Sequence, residues 1–313
     1  MKAIRFSQTG GPDVLKLEDV TLPPPGPGQV RVRHTAIGVN FIDTYHRSGL
    51  YKLPLPSGLG TEAAGVDAAT GARVAYAGPI GAYADEANIP ADKLVRIPEG
   101  VSDEVAAASL LKGMTAQYLL KRTFPVQKGQ TILFHAAAGG VGLIACQWAK
   151  LLGATVIGTV GSDDKAALAR ANGCDHVLNT RSGDWAGAVR EITKGDGVPV
   201  VYDSIGKDSW AGSLDCLSVR GMMVSFGNSS GAVPAFEPGM LSAKGSLYLT
   251  RPTLFHYTRD ARELQETADD LFAVLLSGAV KVAVHQRFKL ADARAAHEAL
   301  HSRQTTGATI LTP

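Results

Sequence analysis

Three glycines stand within four positions in residues 134–149, which read FHAAAGGVGLIACQWA. The stretch follows the apolar run TILFHA and continues as an uncharged helical pattern, so the order is strand, tight turn and helix. Small residues in such a turn let backbone N–H groups and the helix N-terminus approach the phosphates of a dinucleotide. Ala137 occupies the first position of the pattern G-x-G-x-x-G, and Gly139 and Gly142 occupy the other two. The pattern predicts a pyrophosphate site, with a purely structural turn as the alternative.

The end of the next strand, TVIGTV, indicates which dinucleotide would bind. An acidic residue at this point holds the ribose 2′-hydroxyl of NAD and repels the 2′-phosphate of NADP. Gly161 and Ser162 follow the strand without an acid, and Lys165 lies one turn into the next helix. This favours NADP(H). NAD stays open as the alternative, because Asp163 would take the acidic role if the strand ran two residues further.

Residues 297–301 read HEALH and match the H-E-x-x-H pattern of zinc proteases. A zinc protease needs a third protein ligand, and residues 302–313 contain no His, Cys, Asp or Glu. We therefore expect His297 and His301 to lie on a solvated helix face.

Residues 227–231 read GNSSG and match the serine turn of α/β-hydrolases. That turn needs a helix directly behind the serine. The following stretch AVPAFEPGM contains Pro234 and Pro238 and is typical of extended chain. A serine nucleophile is therefore not expected.

These motifs are distributed over two kinds of secondary-structure pattern. Up to about residue 100, short strands alternate with Gly- and Pro-rich turns, which predicts a compact β unit. From about Asp103 to residue 250, strands and helices alternate, and six such strands predict a doubly wound parallel sheet. The tail returns to helix, strand and helix.

The composition narrows the function classes. A chain of 313 residues suggests two domains, and a net charge of +2 without a dense Lys/Arg run argues against a nucleic-acid partner. The cysteines Cys146, Cys174 and Cys216 form no C-x-x-C pair, which favours a reducing compartment. The N-terminus lacks the apolar core of a signal peptide, and the uncharged residues 130–149 contain the glycine turn. We expect a cytoplasmic protein without a membrane span.

Several longer strings identify a family by resemblance. They include AIGVNFIDTYHRSGLY, LPSGLGTEAAG, LLKGMTAQYLL, VVYDSIG, VSFGNSSG and GSLYLTRP, in addition to the glycine stretch. Together they resemble the zinc-independent, NADPH-dependent quinone oxidoreductases of the medium-chain dehydrogenase/reductase superfamily, in the bacterial branch related to zeta-crystallin. The resemblance implies an α/β fold class with a GroES-like β-rich catalytic domain, residues 1–112 completed by 255–313, and a Rossmann NADP-binding domain, residues 113–254. It also implies NADPH in the cleft between them, a small quinone as substrate, and a homodimer.

The residue types agree with the zinc-free branch. Zinc alcohol dehydrogenases of this layout place a Cys just after the early glycine and a His in a GHE string. The corresponding positions here hold Asn40 in GVNF and Thr61 in GTE, and no cysteine precedes Cys146. We therefore expect neither a catalytic nor a structural zinc.

The resemblance assigns cofactor contacts along the second domain. They are Gly139, Gly140, Val141 and Gly142 at the pyrophosphate, Ser162 and Lys165 at the 2′-phosphate, Ser204 along the cleft, and Phe226, Gly227, Asn228, Ser229, Leu249 and Thr250 near the nicotinamide. Thr180 stands where the family usually has Tyr or His, so a 2′-phosphate contact is lost or replaced by Arg181.

Asn40, Asp43, Tyr45 and Tyr51 resemble residues of the quinone pocket. Negative charge that develops on a quinone oxygen needs hydrogen-bond donors, for which Asn40 and the two tyrosines are candidates. The alternatives stay open: Asn40 and Asp43 could cap a turn, and the tyrosines could be core aromatics. No residue is assigned as the general acid, and the strand pair around GVDAATGARV is shorter than is usual in the family.

Two other functions remain open. The same cofactor machinery serves the reduction of activated C=C bonds, as in enoyl or alkenal reductases. A nucleotide- or RNA-binding protein with little turnover is the alternative from another class, and the absence of a basic patch argues against it.

Overall fold

The protein is described by a computed structural model of residues 1–302 and 305–313. It divides into two compact units, which we call the β-rich unit (residues 1–114, 258–278 and 282–313) and the α/β unit (residues 115–257 and 279–281). The first domain boundary was predicted after residue 112, and the β-rich unit continues to residue 114. The second was predicted after residue 254, and the α/β unit continues to residue 257. That each unit is a separate functional domain stays a prediction.

Strands dominate the early chain and alternate with helices later. The strands are β1 (Lys2–Phe6), β2 (Lys16–Asp19), β3 (Gln29–Val39), β4 (Ser57–Gly58), β5 (Glu62–Asp67), β6 (Arg73–Ala77), β7 (Glu86–Pro90), β8 (Leu94–Arg96), β9 (Thr131–Phe134), β10 (Thr155–Val160), β11 (His176–Asn179), β12 (Val198–Asp203), β13 (Leu217–Ser225), β14 (Tyr248–Thr250), β15 (Val284–Lys289) and β16 (Ala308–Thr312). The α-helices are α1 (Phe41–Ser48), α2 (Asp103–Tyr118), α3 (Gly140–Leu151), α4 (Asp163–Ala171), α5 (Trp185–Ile192), α6 (Trp210–Asp215), α7 (Gly239–Ala243), α8 (Ala261–Leu276) and α9 (Ala293–His301).

The β-rich unit is built around β3. This strand begins with alternating exposure and ends in four buried residues, because it pairs with β16, β5 and β7 in a seven-stranded sheet. A second sheet has the order β2-β1-β4. Phe6, Leu59 and Tyr83 are nearly inaccessible to solvent in the core of this unit. The end of β3 leads directly into α1, so the sheet fixes where that helix starts.

The tail contains one strand more than the sequence predicted. After α8, β15 and α9, strand β16 runs parallel to β15 and antiparallel to β3. Its sequence ATILT does not alternate between polar and apolar residues, because the strand is buried between β15 and β3. The expectation of helix, strand and helix was therefore incomplete.

The α/β unit contains a six-stranded parallel sheet in the order β11-β10-β9-β12-β13-β14. This is the strand order of a doubly wound dinucleotide fold, which binds ligands outside the carboxyl ends of the strands. Leu133, Ile157 and Val201 are completely buried in its core. The predicted α/β fold class, with a β-rich part and a doubly wound parallel sheet, is confirmed.

Within residues 1–302 and 305–313, the helices are all too short or too polar to cross a bilayer.

Candidate active site

The glycine turn lies between β9 and α3. Gly139 caps α3 with extended backbone, and its N–H donates to the Ala136 carbonyl at 2.9 Å. A Cβ on Gly142 would lie 2.3 Å from the same carbonyl oxygen, so only glycine allows the first turn of α3 to pack on the strand end. Because Gly139 has no side chain, it cannot cap the N–H groups at the start of α3, and these suit the oxygens of a diphosphate.

The end of β10 decides between the two alternatives for the ribose. β10 ends at residue 160, and Ser162 caps α4, whose first residue is Asp163. The Asp163 carboxylate accepts a hydrogen bond from Asn179 Nδ2 at 2.9 Å. The longer strand that would have given Asp163 the NAD role is therefore not formed.

Cationic side chains stand beside this strand end. A Cβ on Gly161 would lie 4.0 Å from Arg181 Nε, so the guanidinium reaches the turn after β10. Thr180 donates its hydroxyl to the Val160 carbonyl at 3.3 Å, which keeps that side chain on the backbone. Lys165 lies in the first turn of α4. Arg181 is thus placed as the replacement contact that the sequence suggested, and its role with a 2′-phosphate stays a prediction.

Asp203, the last residue of β12, holds the loop that follows it. It is fully buried, and Oδ1 accepts the backbone N–H groups of Ile205 and Gly206 at 2.7 and 3.1 Å. Oδ2 accepts the hydroxyls of Ser209 and Ser213 at 2.6 and 2.7 Å. Four donors therefore satisfy one carboxylate and fix the loop between β12 and α6.

This loop is joined to the loop after β13. The Ser204 carbonyl accepts the Ser229 N–H at 3.1 Å, and Phe226 donates its N–H to the Asp203 carbonyl at 2.7 Å. A Cβ on Gly227 would lie 2.6 Å from the Ser204 carbonyl oxygen, so the close approach of the two loops requires glycine. The structure thus brings Ser204 and residues 226–229, including Asn228, to one edge of the sheet.

Leu249 and Thr250 lie on the neighbouring strand β14, opposite Met223 and Val224 of β13. They share the sheet edge with the loop after β13. Whether they contact a nicotinamide stays a prediction.

A buried histidine extends the Asp203 group into the sheet. His135 Nε2 is 2.9 Å from Ser213 Oγ, and Nδ1 is 2.8 Å from Thr159 Oγ1. Since Ser213 donates its hydrogen to Asp203, we assign the histidine hydrogen to Nε2, and Thr159 then donates to Nδ1. Burial lowers the pKa of His135, which fits this neutral form. Donors run in one direction, from Thr159 through His135 and Ser213 to Asp203.

In the β-rich unit, Asp43 caps the start of α1. Its Oδ2 accepts the Asn40 backbone N–H at 2.8 Å and the Tyr83 hydroxyl at 2.9 Å, and Oδ1 accepts the Thr61 hydroxyl at 3.2 Å. Burial raises the pKa of the Asp43 carboxyl to about 7, although these three donors and the charge of Lys112 oppose the rise. Asn40 and Asp43 therefore cap the start of α1, which was one of the alternatives left open by the sequence. The side chain of Asn40 also donates a hydrogen bond to a second acid.

That second acid is Glu62, which is fully buried. Glu62 Oε2 accepts Asn40 Nδ2 at 2.8 Å and Lys112 Nζ at 3.1 Å, and Oε1 accepts the Leu111 N–H at 2.7 Å. The side chain of Lys112 is also buried and forms an ion pair with Glu62. The carboxylate therefore fixes the orientation of the Asn40 amide.

The zinc positions of related dehydrogenases hold an amide and a hydroxyl in this chain. Asn40 and Thr61 are engaged with Glu62 and Asp43, and neither side chain belongs to the Cys, His and carboxylate set that binds zinc. In residues 1–302 and 305–313, no cluster of three His, Cys, Asp or Glu residues could hold a metal ion. These residues do not fit a catalytic zinc.

Tyr45 and Tyr51 pack against each other with ring centroids 5.2 Å apart in an edge-to-face arrangement. The Tyr51 N–H donates to the Tyr45 carbonyl at 3.1 Å. Tyr45 is 9% exposed and Tyr51 is partly exposed. The structure brings the two tyrosines together at the end of the helix that Asn40 and Asp43 begin, and their contact with a substrate stays a prediction.

The expectation for the HEALH histidines was wrong for one of them. His301 is exposed, but His297 is fully buried. Its Nδ1 lies 3.0 Å from Arg47 Nη1, and its Nε2 lies 3.1 Å from the Tyr83 hydroxyl. Burial and the charge of Arg47 lower the pKa of His297 to about 3. The pattern faces inward because α9 packs its apolar side, with His297, on the core.

The GNSSG segment follows β13 as irregular chain, and α7 begins only at Gly239. The expectation that no helix follows the serine directly is confirmed.

Sequence reasoning did not single out Glu62, Tyr83, Lys112 or Asp203. Asp203 carried a usable signal, since it is an acid near the end of an apolar strand pattern, and the carboxyl ends of parallel strands form the edge where such sheets bind ligands. Tyr83 carried none, because it lies in a loop far along the chain from Asp43.

The two units together define the class of medium-chain dehydrogenases/reductases, and comparison with known proteins agrees. The family models described as "Alcohol dehydrogenase GroES-like domain" and "Zinc-binding dehydrogenase" match residues 26–99 and 140–273. "Quinone oxidoreductase" of Pseudomonas aeruginosa is 52% identical, with 100% of this chain and 99% of the relative covered. "2-haloacrylate reductase" of a Burkholderia species is 48% identical, with 97% and 96% covered.

A solved structure of Escherichia coli quinone oxidoreductase, complexed with NADPH, matches with a TM-score of 0.99 and 51% identity over 100% of both chains. The chain belongs to the quinone oxidoreductase family, and the resemblance seen in the sequence is confirmed.

Proposed function

We propose that this protein is an NADPH-dependent quinone reductase that works without zinc. The observation that carries the proposal is the combination of an intact dinucleotide turn with an amide and a hydroxyl, Asn40 and Thr61, at the positions of zinc ligands. A dehydrogenase lacking a Lewis acid suits an acceptor that is already electrophilic, as a quinone is.

The residues of the α/β unit fit NADPH. The start of α3 provides N–H groups for the pyrophosphate, and the close packing at Gly142 excludes a Cβ there. Arg181 and Lys165 provide positive charge where a 2′-phosphate would lie, and the Asp163 carboxylate accepts a hydrogen bond from Asn179. Bound NADPH would supply the hydride equivalent that reduces the acceptor.

In the β-rich unit, Asn40, Tyr45 and Tyr51 would orient the quinone and donate hydrogen bonds to the oxygen that gains negative charge. Glu62 holds one Asn40 N–H, and the second hydrogen on Nδ2 is the one assigned to the substrate. The reaction consumes one quinone, one NADPH and one proton, and yields hydroquinone and NADP⁺.

Reduction of an activated C=C bond is the second candidate. The observation that favours it is the 48% identity with a 2-haloacrylate reductase over nearly the whole chain.

The test is NADPH oxidation by the purified protein, followed optically in the presence of a chelator. 1,4-Benzoquinone, 2-chloroacrylate and a matched enone are offered in parallel. Faster turnover with the quinone, undiminished by the chelator, is the expected result.

Turnover with 2-chloroacrylate or the enone alone would move the function to C=C reduction. If no acceptor is reduced, retention of RNA in a salt-sensitive manner would favour the nucleotide- or RNA-binding alternative.

We further propose a homodimer in the cytoplasm. The edge strand β14 carries Tyr248, which is 59% exposed, and Val219 of β13 is 73% exposed, so this end of the sheet offers apolar surface to a second copy. The three cysteines are unpaired thiols, which suits a reducing compartment. Light scattering of the purified protein tests the dimer, and a monomer at micromolar concentration would contradict it.

A further inference from the structure

The β-rich unit contains a buried line of four polar side chains that ends at Asp43. Arg47 Nη1 lies 3.0 Å from His297 Nδ1, His297 Nε2 lies 3.1 Å from the Tyr83 hydroxyl, and that hydroxyl lies 2.9 Å from Asp43 Oδ2. All four residues are at most 3% exposed. Three separate segments of the chain contribute to the line, namely α1, the loop before β7, and α9.

The chemistry of the donors fixes the direction of these hydrogen bonds. A guanidinium can only donate, so Nδ1 of His297 must accept and carries no hydrogen. A neutral imidazole then has its hydrogen on Nε2, which donates to the Tyr83 oxygen. The hydrogen of Tyr83 is left to donate to Asp43.

We propose that Arg47, His297 and Tyr83 are positioning residues for quinone reduction, which keep Asp43 as the carboxylate that fixes Asn40 and the first turn of α1. The proposal rests on the proposed function. The backbone of Tyr83 is held at both of its polar atoms, since its N–H donates to the Leu59 carbonyl and its carbonyl accepts the Ile4 N–H, each at 2.8 Å.

The ionised form of Asp43 matches its surroundings. Three donors converge on it, from Asn40, Thr61 and Tyr83, and each makes a stronger hydrogen bond to an ionised carboxylate than to a neutral carboxyl. Protonation therefore weakens the bond that caps α1 and loosens Asn40.

The other charges near this line are few. Lys112 of α2 faces Asp43, and Glu62 of β5 and Arg47 of α1 face Tyr83. Asp13 lies near Arg47. Glu62 and Lys112 form an ion pair with each other, so the hydroxyls of Thr61 and Tyr83 are the side-chain contacts to Asp43 that a single substitution can remove without a change of charge. Tyr83 is the one of the two that continues the line to His297.

The test compares Tyr83→Phe with Tyr76→Phe. Tyr76 is equally buried in the same unit, and its hydroxyl makes no hydrogen bond to Asp43. Because His34 Nδ1 donates to the Ala84 carbonyl, His34 Nε2 accepts, and the Tyr76 hydroxyl donates to it at 3.0 Å. Each substitution removes one buried hydroxyl that is bonded to a histidine. A general loss of stability would therefore affect both variants alike.

The readout is kcat/KM for 1,4-benzoquinone as a function of pH, with carboxyl NMR of Asp43 in the same proteins. Wild type should lose activity as the pH falls through about 7, where the pKa of Asp43 lies. Tyr83→Phe should move that midpoint upward by about one pH unit, because the carboxylate loses a donor. Tyr76→Phe should keep the wild-type midpoint, and both should bind NADPH as wild type does.

His297→Leu should shift the midpoint in the same direction, whereas His297→Gln should restore much of it, because an amide can accept from Arg47 and donate to Tyr83. Equal midpoints in Tyr83→Phe and Tyr76→Phe would overturn the inference. A wild-type protein that reduces no quinone would contradict the proposed function instead.

Discussion

Each unit contains a buried aspartate that receives a line of hydrogen bonds through a histidine. In the α/β unit the line runs from Thr159 through His135 and Ser213 to Asp203, and every member is neutral until the carboxylate. In the β-rich unit it begins at the charged Arg47. Asp203 also accepts two backbone N–H groups from its own loop, whereas Asp43 accepts one.

The difference is one of distance along the chain. The donors to the Asp203 carboxylate lie two to ten residues away, so the group forms within one loop and helix start. The donors of Asp43 include residues 18 and 40 positions away, and His297 lies a further 214 from Tyr83. The direct donors to Asp203 therefore belong to one local turn, although His135 reaches Ser213 from 78 residues away. Two of the three direct donors to Asp43 come from separate segments.

The largest effect should come from Asp203→Ala. Four donors would lose the carboxylate that accepts their hydrogen bonds, although the Ser209 hydroxyl also lies 3.3 Å from the Gly206 carbonyl, and we expect the free energy of unfolding to fall by about 4 kcal/mol. NADPH affinity should fall with it, because the loops at the sheet edge are released. Urea denaturation and fluorescence titration with NADPH measure both effects. Asp208→Ala, at an exposed position of the same loop, is the control, and equal stability of the two variants would contradict the role of the buried carboxylate.

The pH dependence of stability should report the protonation of Asp43 in the β-rich unit. Burial raises the pKa of Asp43 from 3.8 to about 7, so between these values the folded protein holds a proton that the unfolded chain has released. The free energy of unfolding therefore falls as the pH rises from 4 to 7. Relative to Asp43→Asn, wild type should lose about 3 kcal/mol across this window.

Urea denaturation of both proteins across that window is the measurement. His297 affects the free energy of unfolding in the opposite direction, because burial lowers its pKa from 6.5 to about 3. Its contribution to the free energy of unfolding is lost as the pH falls from 6.5 to 3. It is present in both proteins, so it cancels in the difference. A difference that does not change with pH would be inconsistent with a raised pKa at Asp43.

Arg181→Ala should weaken NADPH binding by about tenfold and leave NADH binding nearly unchanged, because only the 2′-phosphate contact is lost. Lys165→Ala should act in the same direction. Dissociation constants for the two cofactors test this prediction. An equal loss for both cofactors would place Arg181 elsewhere in the site and would leave the cofactor preference to other residues.

The smallest effects should come from single hydroxyls. Ser213→Ala and Thr61→Ala each remove one donor to a buried carboxylate, and each should lower the free energy of unfolding by about 1 kcal/mol. Ser213→Ala should lower it more, since it also leaves His135 Nε2–H without an acceptor. Urea denaturation of the two variants measures which substitution lowers the free energy of unfolding more. A larger loss in Thr61→Ala than in Ser213→Ala would contradict this prediction.

The sequence predicted features that depend on neighbouring residues. The glycine turn and the alternation of strands and helices are patterns of local order, and the Asn40–Asp43 cap was one of the alternatives that the sequence left open; the structure has each of them. Strand β16 was missed because a short buried strand has no alternation. His297 was misplaced because its motif has the spacing of a surface site, while only the packing of α9 shows that it faces inward.

The sequence by itself determined that this chain has a dinucleotide turn, a doubly wound sheet and no ligand set for zinc, because these depend on residue types and local order. Only the tertiary structure decided which side chains surround Asp43. Tyr83 and His297 reach it from other segments of the chain, and hydrogen bonds between buried side chains depend on how sheets and helices pack, not on spacing along the sequence.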